Sequence, residues 1–417
     1  MPFDVRPCRD REELSRAIYA IGQNFFGSPT AEMLDRWERL LGLERMHAAF
    51  DTGEIVGGAG AFTFDLSVPG GSLPCAGVSV VGTYPTHRRR GVLRALMRGQ
   101  IDDVHARGEP IAALWASEET IYGRFGYGIA SWAGEGSIPH EASAFAAPLE
   151  RRGQVRFVSA EEAKELFPPV WKSLHAQRPG VFARSETWWE TRRLRIPDEE
   201  AAHPRRFVAL ELDGATRAYA IYRTKPGFED GVSTGKLEVF EAIGATPQAT
   251  AEIWRFLLDV DWIATVTTSL LPPDHPLFQL LANPRRMRYR LADALWMRLV
   301  DVGAALSAAR MRATARSCSR CGTRSARGTR AAGRSTAAPR SERTSRRSSR
   351  STRARSVPRI SAPSRSGSCA TRSWSRSWPQ ARSSGPTRCS RGARSPGALR
   401  SSDPGFPLAT LPAPEGG

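Results

Sequence analysis

Apolar positions in the first half of the chain follow two periods. Leu14, Ala17, Ile18 and Ile21 recur on one face, which predicts a helix over Arg11 to Phe26. Thr30 predicts the cap of a second helix running through Leu41. Phe3 to Arg6, His47 to Phe50 and Ile55 to Leu66 read as strands, the last two joined by the hairpin signal Asp51-Thr-Gly-Glu54. A further meander strand leads into Val78 to Thr83, a β-branched run bounded by Gly77 and Pro85 that reads as buried strand. From Gly91 the helical period returns through Val92, Leu93, Leu96, Met97, Ile101 and Val104, so a helix packs on the sheet.

After Arg151 the order starts again. A strand at Gln154 to Val158 precedes helical runs at Ala160 to Gln177 and Arg184 to Leu194. Phe207 to Leu212 and Arg217 to Thr224 form a hairpin about Asp213-Gly214, and Lys236 to Ile243 runs into a helix at Gln248 to Leu258, then Trp262 to Leu271. The echo predicts an α/β protein of two tandem, duplicated domains, each a mixed central sheet flanked by helices, over residues 1–150 and 151–300.

Charge separates these halves from the rest. The chain carries +18 overall, but residues 301–417 hold 24 Arg, no Lys and 4 acidic residues, which leaves the first 300 at −2. The basic balance therefore says nothing of the first 300 residues' partners. Met311 to Arg400 is Arg, Ser, Ala and Gly with few aliphatics, and such a composition predicts disorder. Ala313 to Thr323 can be encoded by GC-rich codons that, read two bases later, give a turn and an alternating strand; we expect a frameshift near Ala308 to Ala313. Arg343 to Arg355 can contact phosphates and Trp374 and Trp378 can stack on bases, but the frameshift reading is preferred to a nucleic-acid function for them. Cys318-x-x-Cys321 lacks a second pair of ligands at zinc spacing, so no metal is expected. Two cysteines in the first 300 residues, no leader-like start and no long apolar run are the pattern of a cytoplasmic protein outside the membrane.

The chemistry sits in Arg88-Arg-Arg-Gly91. A strand ends, a helix begins, and the turn between them aims backbone N–H groups at one point, where an anion is held. This Arg-x-x-Gly turn resembles the pyrophosphate grip of the GNAT acyltransferases, although Leu93 stands where that pattern has a small residue. Pro85 to Gly91 and Ile111 to Gly128, which includes Ile-Tyr-Gly-Arg-Phe-Gly-Tyr-Gly, resemble the matching segments of the Eis (enhanced intracellular survival) branch of that family.

The resemblance implies two GNAT-like domains. The second should not bind CoA, because Gly244-Ala-Thr-Pro-Gln-Ala-Thr250 replaces the grip. It implies acetyl-CoA as cosubstrate and a primary amine as acceptor: an aminoglycoside, a polyamine or a lysine. Val81, Gly82 and Thr83 match the strand that pairs with the pantetheine arm. Arg89, Arg90, Gly91, Val92, Leu93 and Arg94 match the pyrophosphate loop, and Ser117 and Glu118 match further CoA contacts, although a helix cap and a first-turn carboxylate also account for them. Tyr122 matches the general acid. A phenol with a pKa of about 10 stays protonated at neutral pH and can protonate a leaving thiolate of about 8.5. Phe25, Phe26 and Trp37 fall on helices that wall the acceptor cleft in such folds, though for two of the three ordinary aromatic core is the better reading. The family's base is the carboxylate of the chain terminus, brought back by a sterol-carrier-like third domain, and its assembly is a hexamer. Here residues 301–417 stand in that domain's place and end Leu411-Pro-Ala-Pro-Glu-Gly-Gly417, so the expectation is an acetyltransferase impaired in its base, or, as the alternative, an inactive acetyl-CoA binder with a nucleic-acid-binding basic tail.

Overall fold

A computed structural model describes residues 3–23 and 27–308, with two short paired strands at Cys318–Arg320 and Ala332–Arg334. The expected disorder of the tail and its Trp and Arg runs lie outside the described residues, as do Phe25 and Phe26. All described residues fall within one compact unit.

The first half opens with β1 (Asp4–Pro7), α1 (Arg11–Gly22) and α2 (Ala31–Leu41). Asp10 caps α1 and Thr30 caps α2, each side chain accepting from a backbone N–H three residues on. Then come β2 (Met46–Asp51), β3 (Glu54–Val68), β4 (Gly71–Thr83), α3 (Val92–Ala106) and β5 (Ile111–Trp115). The anticipated order holds, but α1 stops at Gly22, short of the Phe26 that periodicity alone suggested. Ile55 and Val56, adjacent on β3, enter different clusters, as a period-2 strand covered on both faces requires. Ile55 joins Leu14, Ile18, Trp37 and Phe62, while Val56 joins Phe3, Val92, Ala95 and Leu96.

After β5 the chain forms α4 (Glu119–Tyr122), β6 (Gly128–Ile129) and β7 (Trp132–Pro139). The second half follows with β8 (Gln154–Val158), α5 (Ala160–Gln177), α6 (Glu186–Trp188), β9 (Arg206–Leu212) and β10 (Ala215–Lys225). A small hairpin, β11 (Phe228–Glu229) and β12 (Val232–Ser233), precedes β13 (Lys236–Gly244), α7 (Pro247–Leu258), β14 (Thr265–Leu271) and α8 (Leu277–Leu280). The last elements are β15 (Arg290–Asp293), β16 (Leu295–Leu299) and α9 (Val302–Ala308). β16 ends at Leu299, and Val302 opens a helix.

The two seven-stranded sheets exchange strands. One runs β1-β2-β3-β4-β5-β16-β6 and the other β15-β7-β14-β13-β10-β9-β8. β7 leaves the first half to pair with β14 and β15, and β16 returns after the second half to lie between β5 and β6. A division at residue 150 therefore cuts across both sheets. The halves also meet along β3, where Ser67 N donates to Val181 O at 2.9 Å and Ala183 N to Asp65 O at 2.8 Å.

The second half is keyed by a buried carboxylate. Glu241 on β13 accepts two bonds from Arg184, at 2.8 and 2.7 Å, and one from the Tyr219 hydroxyl at 2.5 Å. Arg193 stands 3.8 Å away, and the Arg184 guanidinium lies 3.3 Å from the Trp171 ring centre. A buried carboxylate is tolerable only with its charge and lone pairs satisfied in this way. Among the described residues no helix is long and apolar enough to cross a membrane.

Candidate active site

The site begins with a defect in a ladder. β3 and β4 pair regularly up to Gly60↔Ser79, then resume at Gly58↔Gly82, so Val80 and Val81 together face the single Ala59. That is a β-bulge, and Val80 takes a positive φ of 44° to make it. Gln100 of α3, fully buried, donates to the Gly60 carbonyl at 2.8 Å and so satisfies a group at the irregularity.

Next to the bulge, β4 also stops pairing with its other neighbour. β4 and β5 pair in parallel from Cys75↔Ile111 to Val78↔Leu114 and no further, although β4 continues to Thr83. Beyond Val78, β4 and β5 no longer lie side by side as a ladder. Val81, Gly82 and Thr83 are half-buried there. They can pair with an extended chain laid in the opening.

At the end of β4 stands the arginine turn. Arg89 and Gly91 both take positive φ, 64° and 100°, and this reversal delivers the chain into α3. Glycine is suited to such an angle, and the Cβ position of Gly91 opens onto free space. No side chain caps α3. The first-turn N–H groups, Val92 to Arg94, therefore lack helical partners and carry the positive end of the helix dipole. Arg88, Arg89, Arg90 and Arg94 are exposed around this point. Arg90 bonds to Asp51 of the β2–β3 turn at 2.8 Å, a contact that sequence reading missed. Leu93 is half-buried against the first core, so its bulk is turned inward.

Across the opening, β5 runs into α4. Ser117 and Glu118 are exposed. Glu118 occupies the cap position of α4 without a side-chain cap bond, and Ser117 is not the cap, so capping does not account for either residue. Tyr122 ends α4 and is 7% exposed. Burial pushes its phenol up to about 12, so it holds its proton firmly at neutral pH. The Tyr127 ring meets it edge-on at 6.1 Å. The Tyr127 hydroxyl is fully enclosed without a hydrogen-bond partner. Trp37 is 0% exposed and stacks on Phe62 at 5.9 Å, which makes it core rather than a cleft wall.

A mixed sheet opened beside a bulge, with a bare helix N-terminus behind the opening, defines the GNAT acetyltransferases. GNAT acetyltransferase domain models match residues 4–130 and 180–299. An uncharacterized N-acetyltransferase of Streptomyces avermitilis is 37% identical over 284 residues, 67% of this chain and 69% of that one. N-acetyltransferase Eis of Mycobacterium tuberculosis is 34% identical over 261 residues, 61% of this chain and 62% of that one. The crystal structure of Eis1 from Mycobacterium abscessus superposes with a TM-score of 0.62 at 33% identity, covering 73% of this chain and 76% of that one. The chain is a GNAT-type N-acetyltransferase and belongs to the Eis-like family.

Proposed function

We propose that this chain transfers acetyl from acetyl-CoA to a primary amine, of aminoglycoside, polyamine or lysine type. The opening of β4 from β5 beyond Val78, with the Arg89–Arg94 turn at its mouth, is the observation that carries this reading. A CoA molecule is an anion joined to a long amide-bearing arm. The uncapped α3 start suits the first part, and the gap where β4 parts from β5 suits the second.

Acetyl-CoA supplies a thioester whose carbonyl accepts an amine nucleophile. The residues of the chain do the rest. Val81, Gly82 and Thr83 align the arm along β4. Arg89, Arg90 and the N–H groups of Gly91, Val92, Leu93 and Arg94 hold the pyrophosphate, with Ser117 and Glu118 on the facing wall. Tyr122 gives its proton to the sulfur as the C–S bond breaks and the C–N bond forms. The amine's proton goes to a base, for which Glu118 and Glu119 are the carboxylates of the same turn. The carboxylate of the chain terminus, the base in the resembled family and one this chain is expected to have lost in that role, lies outside the described residues. A hexameric assembly remains part of the proposal, resting on that resemblance.

Titration calorimetry with acetyl-CoA, followed by thiol release with a panel of an aminoglycoside, spermidine and a lysine peptide, tests the reading. Binding together with release above the hydrolytic background supports it. Absence of acetyl-CoA binding by the folded chain refutes it.

A further inference from the structure

We propose that Arg298 is a positioning residue for Tyr122, reaching from β16 into the Tyr122–Tyr127 turn and fixing where the phenol stands. This inference rests on the reading of Tyr122 as proton donor.

The turn has little to hold it by itself. α4 is four residues long and has no side-chain cap. Its return is stitched by Gly126 N to Gly123 O at 3.1 Å and Tyr127 N to Tyr122 O at 3.4 Å, the second long for such a bond. Arg124 Nε adds one bond to Ile121 O at 2.9 Å. A phenol that must meet one sulfur atom needs firmer support, since a misplacement of about 1 Å can cost a hundredfold in rate.

β16 supplies it. The strand is threaded between β5 and β6, pairing Trp296 with Ile129 and Met297 with Gly128 on one side and Arg298 with Ala112 on the other. Arg298 is 3% exposed, and its Nη1 donates to the carbonyl of Phe125. Gly126 takes φ 83° beside it, and a Cβ there would stand 3.2 Å from the same Nη1. The backbone is thus fitted closely around the guanidinium. The Arg298 charge also faces Tyr127, whose ring supports that of Tyr122. Burial lowers the Arg298 pKa, while Tyr127 and Asp102 act against that. A guanidinium remains charged in such a setting, so its bond to the Phe125 carbonyl is charge-assisted.

The test uses the full chain with ring-13C-labelled tyrosine, followed by NMR from pH 8 to 11, with Tyr122→Phe to assign the resonance. In the wild type, Tyr122 stands at about 12 because it is buried. It should be only ~10% ionised at pH 11. In Arg298→Met the loosened turn should admit water and move the midpoint toward 10, giving ~90% ionisation at pH 11. Loss of a positive charge by itself would move a phenol in the opposite direction, so the sign separates the two effects. Arg298→Lys should stay near the wild type. Should Arg298→Met not fold, Arg298→Gln carries the same comparison. A folded variant whose Tyr122 stays protonated at pH 11 overturns the proposal.

Turnover provides the second arm. Arg298→Met should lower kcat roughly ten- to a hundredfold with KM for acetyl-CoA unchanged, and should cost nothing further in a Tyr122→Phe background. Turnover undiminished in Tyr122→Phe removes the donor reading alone, because the titration still decides whether Arg298 sets the place of the phenol.

Discussion

Glu241→Gln should be among the most damaging single changes available in the second half of the chain. The substitution keeps size and one acceptor for Tyr219, but removes the charge that Arg184 and Arg193 share. Arg184 loses a buried two-pronged ion pair whose side chains are 2% and 1% exposed. Breaking such a pair by removing one partner costs about 3–5 kcal/mol. Counting the two charge-assisted bonds at roughly 1.5–3 kcal/mol each gives a similar figure. With a urea slope of about 3 kcal/mol per M, the unfolding midpoint should fall by roughly 1–1.7 M. Intrinsic fluorescence reads this well, since Trp171 and Trp189 both lie against the Arg184 guanidinium. Acid supplies a control. Burial pushes the Glu241 carboxyl up, but the charges of Arg184 and Arg193 and the bonds from Arg184 and Tyr219 outweigh it, and the net direction is down from 4.5. A group lowered in the fold contributes fully above its unfolded value and loses that contribution as pH falls through the folded one. Wild type and variant should therefore differ most above about pH 4.5 and converge below it. A midpoint within about 0.3 M of wild type at pH 7 would refute the keystone role.

Three further outcomes are expected. Arg89→Ala together with Arg90→Ala should weaken acetyl-CoA binding by a few kcal/mol, at roughly 1.5–3 kcal/mol per charge-assisted phosphate bond; unchanged affinity in titration calorimetry would remove the turn from the site. Tyr122→Phe should keep acetyl-CoA binding and lower turnover roughly ten- to a thousandfold, read by thiol release. Ser159 and Glu162 form a reciprocal capping box at the start of α5, with bonds of 3.1 and 2.8 Å. Ser159→Ala should cost about 1 kcal/mol in urea unfolding and leave acetyl-CoA affinity unchanged.

Local signals made much of this molecule readable. Thr30 as a cap, the Asp51–Glu54 turn, the helix after Gly91 and the Gln154–Val158 and Ala160–Gln177 elements stand where periodicity and turn chemistry put them. The opening beside β4 was less visible. A bulge at Val80 is carried by backbone angles and by Gln100, and a β-branched run looks alike with or without one. The Arg90–Asp51 and Arg298–Phe125 contacts join residues 39 and 173 apart, beyond any window of local pattern. The strand exchange was hidden for the same reason. β7 and β16 have ordinary strand composition, and only pairing decides which sheet receives them. Trp37 shows the opposite limit, since a helical aromatic is assigned to cleft wall or core only once its neighbours are known.

The late arrival of β16 gives the first sheet a schedule. Trp115 pairs with Leu295, 180 residues further along the chain. At ribosomal speeds of ~5–20 residues per second, β5 waits roughly 10–35 s for its neighbour. During that interval its outer edge carries unpaired N–H and C=O groups beside an apolar Ile-Ala-Ala-Leu-Trp run, a surface prone to pairing with other chains. Closing so long a loop also adds chain-entropy cost before any contact repays it. Nascent chains stalled before residue 295 should therefore engage holding chaperones, and chains released past residue 299 should not.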